Sequence, residues 1–217
     1  TIEEAIRHRH SVRKYLDKPI PEDVQRILMK AIEDAVAESG LDIHLVIDEP
    51  EAFDCRLAHY GRFSGVKNYI SLSFGKGMDE MAGYYGERLV LLAETLGLST
   101  CWVALTYRKA SVKKTRGKDR GIVISIGYGA ERGSAHRAKS FDSVAKANCP
   151  IPLWFRNGVE AALLAPTAIN QQRFLFTLID EHAVKAEARP GFWSKVDLGI
   201  VKLHFEIGAG KENFAWK

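Results

Sequence analysis

The tripeptide Pro19-Ile20-Pro21 returns as Pro150-Ile151-Pro152, and this recurrence constrains the fold more than any other feature of the chain. After the first copy, Val24, Ile27, Leu28, Ala31, Ile32 and Ala35 recur at helical spacing, so a helix begins near Pro21 and Gly40 ends it. Ala31 falls opposite Ala162 at the same offset, and after a one-residue slip Ile47-Asp48-Glu49 recurs as Ile179-Asp180-Glu181. A proline entry, an amphipathic helix and a strand thus occur twice in the same order. Residues 86–97 are loosely echoed by 199–210, each a glycine-bounded, apolar-periodic segment. A repeated unit that cannot bury its apolar face alone packs against its twin, which predicts pseudo-twofold duplication within one chain. The first half spans 1–148, and a shorter second half over 149–217 packs on it as one globular unit.

Residues 41–48 (LDIHLVID) alternate as a half-buried strand does, with a second strand at 69–74. Residues 78–96 read as a long helix closed by Gly97, and 121–128 (GIVISIGY) as an interior strand. With 217 residues, 46% of them hydrophobic and 27% charged, the chain has enough apolar side chain for a substantial core, which disfavours disorder or a small stapled scaffold. No apolar stretch approaches the roughly 20 residues of a membrane span, so no membrane partner is expected. The opening residues carry no signal-peptide pattern. Cys55, Cys101 and Cys149 form an odd set without metal-ligand spacing, which reads as reduced, mostly core thiols in a cytoplasmic protein. A net charge of +4 is too mild to imply nucleic acid. Basic residues nevertheless cluster twice, as Arg7, Arg9, Arg13 and Lys14, and as Arg108, Lys109, Lys113, Lys114, Arg116, Lys118 and Arg120. The second cluster reads as a solvated helix and loop, with an NADPH phosphate or a polyanion as the alternative.

The opening run Ile6-Arg7-His8-Arg9-His10-Ser11-Val12-Arg13-Lys14-Tyr15 gathers guanidiniums around a hydroxyl. Arg presents a planar fork of donors matched to phosphate oxygens, and Ser adds a short donor near the backbone, so the run reads as a phosphate grip or as a solvated basic terminus. His8 and His10 have no Cys or third His close in sequence, and no metal is expected. Further on, Ala165-Pro166-Thr167-Ala168-Ile169-Asn170-Gln171-Gln172 combines a chain-bending proline with hydrogen-bonding side chains. It reads as a ring-edge contact or as a capped turn before a strand at 173–180. G-x-G-x-x-G and Walker patterns are absent, which leaves little support for a Rossmann or P-loop site.

These motifs resemble the FMN-dependent nitroreductase family, in the branch where a single chain resembles a nitroreductase dimer. Arg9, Ser11 and Arg13 match the Arg-Arg-Ser-x-Arg signature that opens the family, with His10 in a slot often held by Arg. The resemblance implies that Arg9 and Ser11 hold the FMN phosphate while Arg13 reaches the phosphate, ribityl chain or pyrimidine edge. The 165–172 run resembles the family's Ala-Pro-Ser-x-x-Asn-x-Gln segment, which places Pro166, Thr167, Ala168, Asn170 and Gln172 against the ring; Arg173 and Phe174 replace the usual Pro-Trp. Tyr84-Tyr85-Gly86-Glu87 and the exit Leu96-Gly97-Leu98-Ser99-Thr100-Cys101-Trp102 are similar to the family's central helix, implying that the backbone at Gly86 and Glu87 faces the flavin pyrimidine. Ile126-Gly127-Tyr128-Gly129, followed by Arg137-Ala138-Lys139, resembles the strand end and basic pair that close on the phosphate, Lys139 aligning better than Arg137.

In ordinary members the Pro-Ser-Asn segment follows the first helix, and the flavin sits between two subunits. Here Glu33-Asp34-Ala35-Val36 occupies that place and the motif appears only in the second copy, the arrangement of a fused pseudo-dimer with one surviving site. The resemblance implies an α+β fold with a mixed, mostly antiparallel sheet flanked by helices. It also implies an NAD(P)H-dependent FMN oxidoreductase, with NADH or NADPH as co-substrate and flavin N5 carrying the chemistry without a catalytic side chain. Its partner would be a small-molecule electron acceptor such as a nitroaromatic or quinone, and the chain a monomeric pseudo-dimer or weak homodimer. Other flavin chemistry, such as reductive dehalogenation or flavin fragmentation, and a flavin-binding module without turnover are the alternatives.

Overall fold

The computed structural model describes residues 1–109, 119–135 and 137–217. Along the chain run helix α1 (Ile2–His8), α2 (Glu22–Ser39), strand β1 (Asp42–Val46), α3 (Arg56–Tyr60), β2 (Tyr69–Phe74), α4 (Asp79–Thr95), β3 (Ser99–Val103) and β4 (Arg120–Gly127). Then come α5 (Phe141–Val144), β5 (Ala145–Ala147), α6 (Leu153–Leu163), β6 (Phe174–Asp180), β7 (Ala183–Ala188), α7 (Ser194–Ala209) and β8 (Ala215–Trp216). The chain divides into two compact units that interleave in sequence. One comprises His8–Met78 and Arg88–Ala135 and holds β1 to β4; the other comprises Thr1–Arg7, Asp79–Glu87 and His136–Lys217 and holds β5 to β8.

In the β1–β4 unit the sheet runs in the order β1-β2-β4-β3, every pairing antiparallel. β2 is buried along its whole length, and Ile70 and Leu72 stand opposite Ile124 and Ile122 of β4. The apolar run of β4 is therefore an interior strand, as its sequence suggests. On α2 the buried residues are Leu28, Ile32, Ala35 and Ser39, one stripe at i, i+3, i+4 spacing. The helix ends at Gly40, whose φ of 67° is left-handed and whose N–H bonds the Val36 carbonyl. A cluster containing Val12, Tyr15, Phe53, Phe63, Tyr69 and Tyr107 forms the core, with the Phe53 and Phe63 rings 5.2 Å apart.

In the β5–β8 unit the order is β5-β6-β7-β8, antiparallel between β6 and β7 and parallel at both edges. Aromatic rings fill its core: Phe176 stacks on Phe205 at 4.6 Å, and Trp216 of β8 lies 5.3 Å from Phe205. Helix α7 is buried on nearly every side, and small residues set how closely its neighbours approach. A Cβ at Gly199 would run into the Glu80 carbonyl oxygen of α4, and one at Gly83 into the Val196 carbonyl of α7. The backbones of α4 and α7 therefore meet without side chains between them.

Each Pro-Ile-Pro entry is followed by a helix, two strands, a helix and a strand, α2-β1-β2-α4-β3 and α6-β6-β7-α7-β8, except that the first series carries the extra helix α3 between β1 and β2. The mixed, mostly antiparallel strand content matches expectation, four of the six pairings being antiparallel, and it is divided between two four-stranded sheets. Of the cysteines, Cys101 is buried while Cys55 and Cys149 are half-buried. Within the second basic cluster Arg108 and Lys109 are exposed and Arg120 sits 5.9 Å from the Phe74 ring; Lys113, Lys114, Arg116 and Lys118 lie outside the described residues. Among the described residues no helix is long and apolar enough to cross a membrane.

Candidate functional site

The arginine-serine segment is held extended by backbone bonds on both sides. Val12 N–H donates to the Thr100 carbonyl at 3.0 Å, Ser64 N–H to Arg13 at 3.0 Å, and Ala130 N–H to Lys14 at 2.8 Å. Tyr15 anchors the end of the segment: its hydroxyl donates to the Val12 carbonyl at 2.8 Å and lies 2.8 Å from Ser125 Oγ. Residues on a strand-like backbone pinned this way cannot reorient together, so their side chains are presented as a fixed set.

Arg9, Ser11 and Arg13 all lie near enough to the buried Cys101 to act on its thiol. Burial pushes that thiol above its usual range, and Arg13, a hydrogen bond from Ser11 and Arg9 each pull it back. Arg9 is 4% exposed, and its charge also acts on Glu94, whose carboxyl is raised by burial and lowered by Arg9 and then His8. The Arg13 guanidinium lies 5.9 Å from the centroid of the Phe63 ring. Two guanidiniums and a hydroxyl that act on the same thiol form a donor set suited to a phosphate dianion. His10 lines a cleft of about 730 Å³ with His8, Lys18, Tyr128 and Arg132. Gly133 packs against His10 and Ser11 so closely that a Cβ there would strike the His10 side chain.

The second motif gathers most of the remaining candidates inside the β5–β8 unit. Asn170 Nδ2 donates to the Arg137 carbonyl at 3.1 Å, and Gln172 Nε2 donates to the same carbonyl at 2.9 Å and to Asn170 Oδ1 at 2.8 Å. Gln172 Oε1 accepts the Lys139 N–H at 2.8 Å, and the Lys139 ammonium donates to the carbonyls of Gln171 and Gln172 at 2.8 and 3.1 Å. Thr167 Oγ1 accepts the Gln172 N–H at 3.1 Å. Arg137, Lys139, Thr167, Asn170 and Gln172 are thus one hydrogen-bonded cluster, although 30 or so residues separate its two strands of sequence. The segment is also strained: Ile169, Asn170 and Gln172 have φ of 48°, 54° and 46°. Left-handed backbone at a β-branched residue is unfavourable, and each such position costs about 1–3 kcal/mol, which surrounding contacts must offset. Pro166 precedes this turn half-buried, and Ile169 is 86% exposed.

The unit's buried acidic side chains include Glu87 and Asp197. Glu87, beside Gly86 on α4, is fully buried and its Oε1 lies 2.9 Å from Nε2 of the fully buried His204 on α7. Asp197, in the first turn of α7 and 3% exposed, accepts the Ala168 N–H at 2.9 Å and the Gln171 side-chain amide at 2.7 Å. Burial pushes its carboxyl up to about 6, while the bonds from Gln171 and Ala168 pull the other way. Because this value lies above the ordinary 3.8, the fold favours the protonated form. The stability it contributes is present below about pH 4 and is lost as pH rises through 6, on the order of 3 kcal/mol. Neither Asp197 nor His204 was marked by the sequence, since both sit in an apolar-periodic helix and acquire partners only through tertiary contact.

A family model described as "Putative TM nitroreductase" matches residues 1–209. The chain belongs to the TM nitroreductase family. Among solved structures, a "putative nitroreductase" of Thermotoga maritima is similar at 24% identity and TM-score 0.72, over 98% of this chain and 85% of that one. A "nitroreductase-like protein" of Streptococcus mutans is similar at 12% identity and TM-score 0.53, over 69% and 96%. A "putative nitroreductase in complex with FMN" from Desulfovibrio desulfuricans matches at 19% identity and TM-score 0.49, over 70% and 98%. No curated protein matches the sequence.

Proposed function

We propose that this chain is an FMN-dependent oxidoreductase that takes hydride from NADH or NADPH and passes it to an electron-poor acceptor such as a nitroaromatic or quinone. The observation that carries the proposal is the donor set of Arg9, Ser11 and Arg13 beside the buried Cys101, in a chain of the nitroreductase family. When bound, FMN supplies the two-electron chemistry at its ring. Arg9 and Ser11 would donate to the phosphate, and Arg13, steadied over Phe63, to the phosphate, ribityl or pyrimidine edge. Pro166, Thr167, Ala168, Asn170 and Gln172 would line the ring, with Arg137 and Lys139 fixing them through the bonds just described. Asn170 Nδ2 uses one proton on Arg137 and retains a second for the ring edge. Gly86 and Glu87 would offer backbone to the pyrimidine, and His10 would close the phosphate end. No side chain is required as nucleophile or general base.

The test is anaerobic addition of NADH and of NADPH to FMN-loaded protein. The flavin absorption band is expected to bleach with at least one of them and to return when a quinone or nitroaromatic is added after the nucleotide is consumed. A band unchanged by both nucleotides would instead favour a flavin-binding module without turnover.

A further inference from the structure

We propose that Asp197 is a positioning residue for the flavin-facing segment, holding 166–172 in its left-handed form through Ala168 and Gln171 without touching the cofactor. The inference rests on the flavin reading of that segment. It deepens that reading by naming the group that sets the segment's shape.

Three features place this role on Asp197. Its two oxygens are divided between the two ends of the strained turn, Oδ1 taking the N–H of Ala168 and Oδ2 the amide of Gln171, so the carboxylate spans Ile169 and Asn170. The same Gln171 amide donates to the Phe192 carbonyl at 2.6 Å, linking the segment to the loop that precedes α7. Room for that link is made by Gly191, where a Cβ would strike Gln171 Oε1 and Arg173 Cδ. Lys139 holds the end of the turn through the carbonyls of Gln171 and Gln172. The segment is therefore held by a carboxylate and an ammonium as well as by its own amide bonds, and removing either takes away one restraint on its left-handed residues.

A buried carboxylate that the fold prefers protonated is costly near neutral pH, and asparagine of the same shape would remove that cost. The amide would still accept from Ala168, yet it would set a donor against the Gln171 donor. Rotating Gln171 to match would point its oxygen at the Phe192 carbonyl. Asparagine therefore cannot keep both links. Charged groups on the surrounding elements include Lys195 on α7, Asp79 and Glu80 on α4 (Glu80 paired with Lys202), Arg173, which donates to the Pro190 carbonyl at 2.7 Å, and Lys139 on its carbonyls. Burial, Gln171 and Ala168 are what shape the titration of Asp197.

The experiment is FMN titration of apoprotein, wild type against Asp197→Asn and Gln171→Ala, from pH 5 to 8, with thermal midpoints measured in parallel. Asp197→Asn is expected to weaken FMN about tenfold at pH 7.5 without lowering the midpoint, an outcome a purely structural residue would not give. Gln171→Ala, a half-buried side chain whose loss leaves the core intact, should weaken FMN in the same direction. Wild type should lose about tenfold between pH 7.5 and 5 relative to Asp197→Asn. The second phosphate ionisation of FMN, near 6, affects both proteins alike, so the difference isolates Asp197. Wild-type affinity and pH profile in both variants would overturn the positioning role while leaving the flavin reading intact. A wild type that binds no FMN at any pH would overturn that reading and the inference with it.

Discussion

Replacing Glu87 with alanine is expected to destabilise the protein by about 3–5 kcal/mol, seen as a large drop in the urea midpoint with little change in slope. Glu87 and His204 are both fully buried, and His204 Nδ1 lies 3.2 Å from the Ala161 carbonyl, which can only accept. Nδ1 therefore carries a proton, and a second proton must lie between Nε2 and the Glu87 oxygen for their 2.9 Å contact to be a bond. Alanine leaves that ring nitrogen buried without this bond and opens a cavity between α4 and α7, where the Gly83 and Gly199 contacts prevent the helices from closing further. Glu87→Gln can still donate to a neutral Nε2, so it should cost far less. Combining Glu87→Ala with His204→Ala should cost less than the sum of the two, because each removes the same bond. A Glu87→Ala protein as stable as wild type would show that the pair is not a structural link between α4 and α7.

The second large effect concerns the cofactor. Arg9→Ala is expected to weaken FMN about 10- to 100-fold, since a charge-assisted contact contributes about 1.5–3 kcal/mol. Arg9 is 4% exposed and lies within reach of the Glu94 charge, so truncation also removes packing. Riboflavin, which lacks the phosphate, separates the two contributions: its affinity should change little if Arg9 grips phosphate. Equal losses for the two flavins would make Arg9 a structural residue of the segment.

The long periodic elements were legible in the sequence. β2 falls at 69–74 as read, α2 begins behind Pro21 and stops at Gly40, and α4 covers Asp79–Thr95 within the expected 78–96, because each has a periodic apolar pattern and punctuated ends. β7 (AVKAEA) and the two-residue β8 carry no such pattern and are strands only because β6 and β7 offer them backbone partners. Of the candidate site, the arginine-serine motif was legible as a donor cluster, and the family resemblance supplied its cofactor. The left-handed turn at Ile169 was not legible, since a β-branched residue argues locally against that backbone. Neither was Asp197, whose role depends on contacts with residues 26 and 29 positions away.

Binding of FMN by its phosphate follows from where the two motifs lie. Each motif occurs once in the chain: Arg9, Ser11 and Arg13 before the first Pro-Ile-Pro, and Pro166 to Asn170 after the second, with Ser143-Val144-Ala145-Lys146-Ala147-Asn148 where a second arginine cluster would stand. Titration of FMN and of riboflavin into apoprotein, with mass measured in parallel, tests the claim most directly. Saturation at one FMN per chain is expected, with an affinity for FMN at least tenfold above that for riboflavin. Equal affinity for the two flavins, or two FMN per chain, would contradict it.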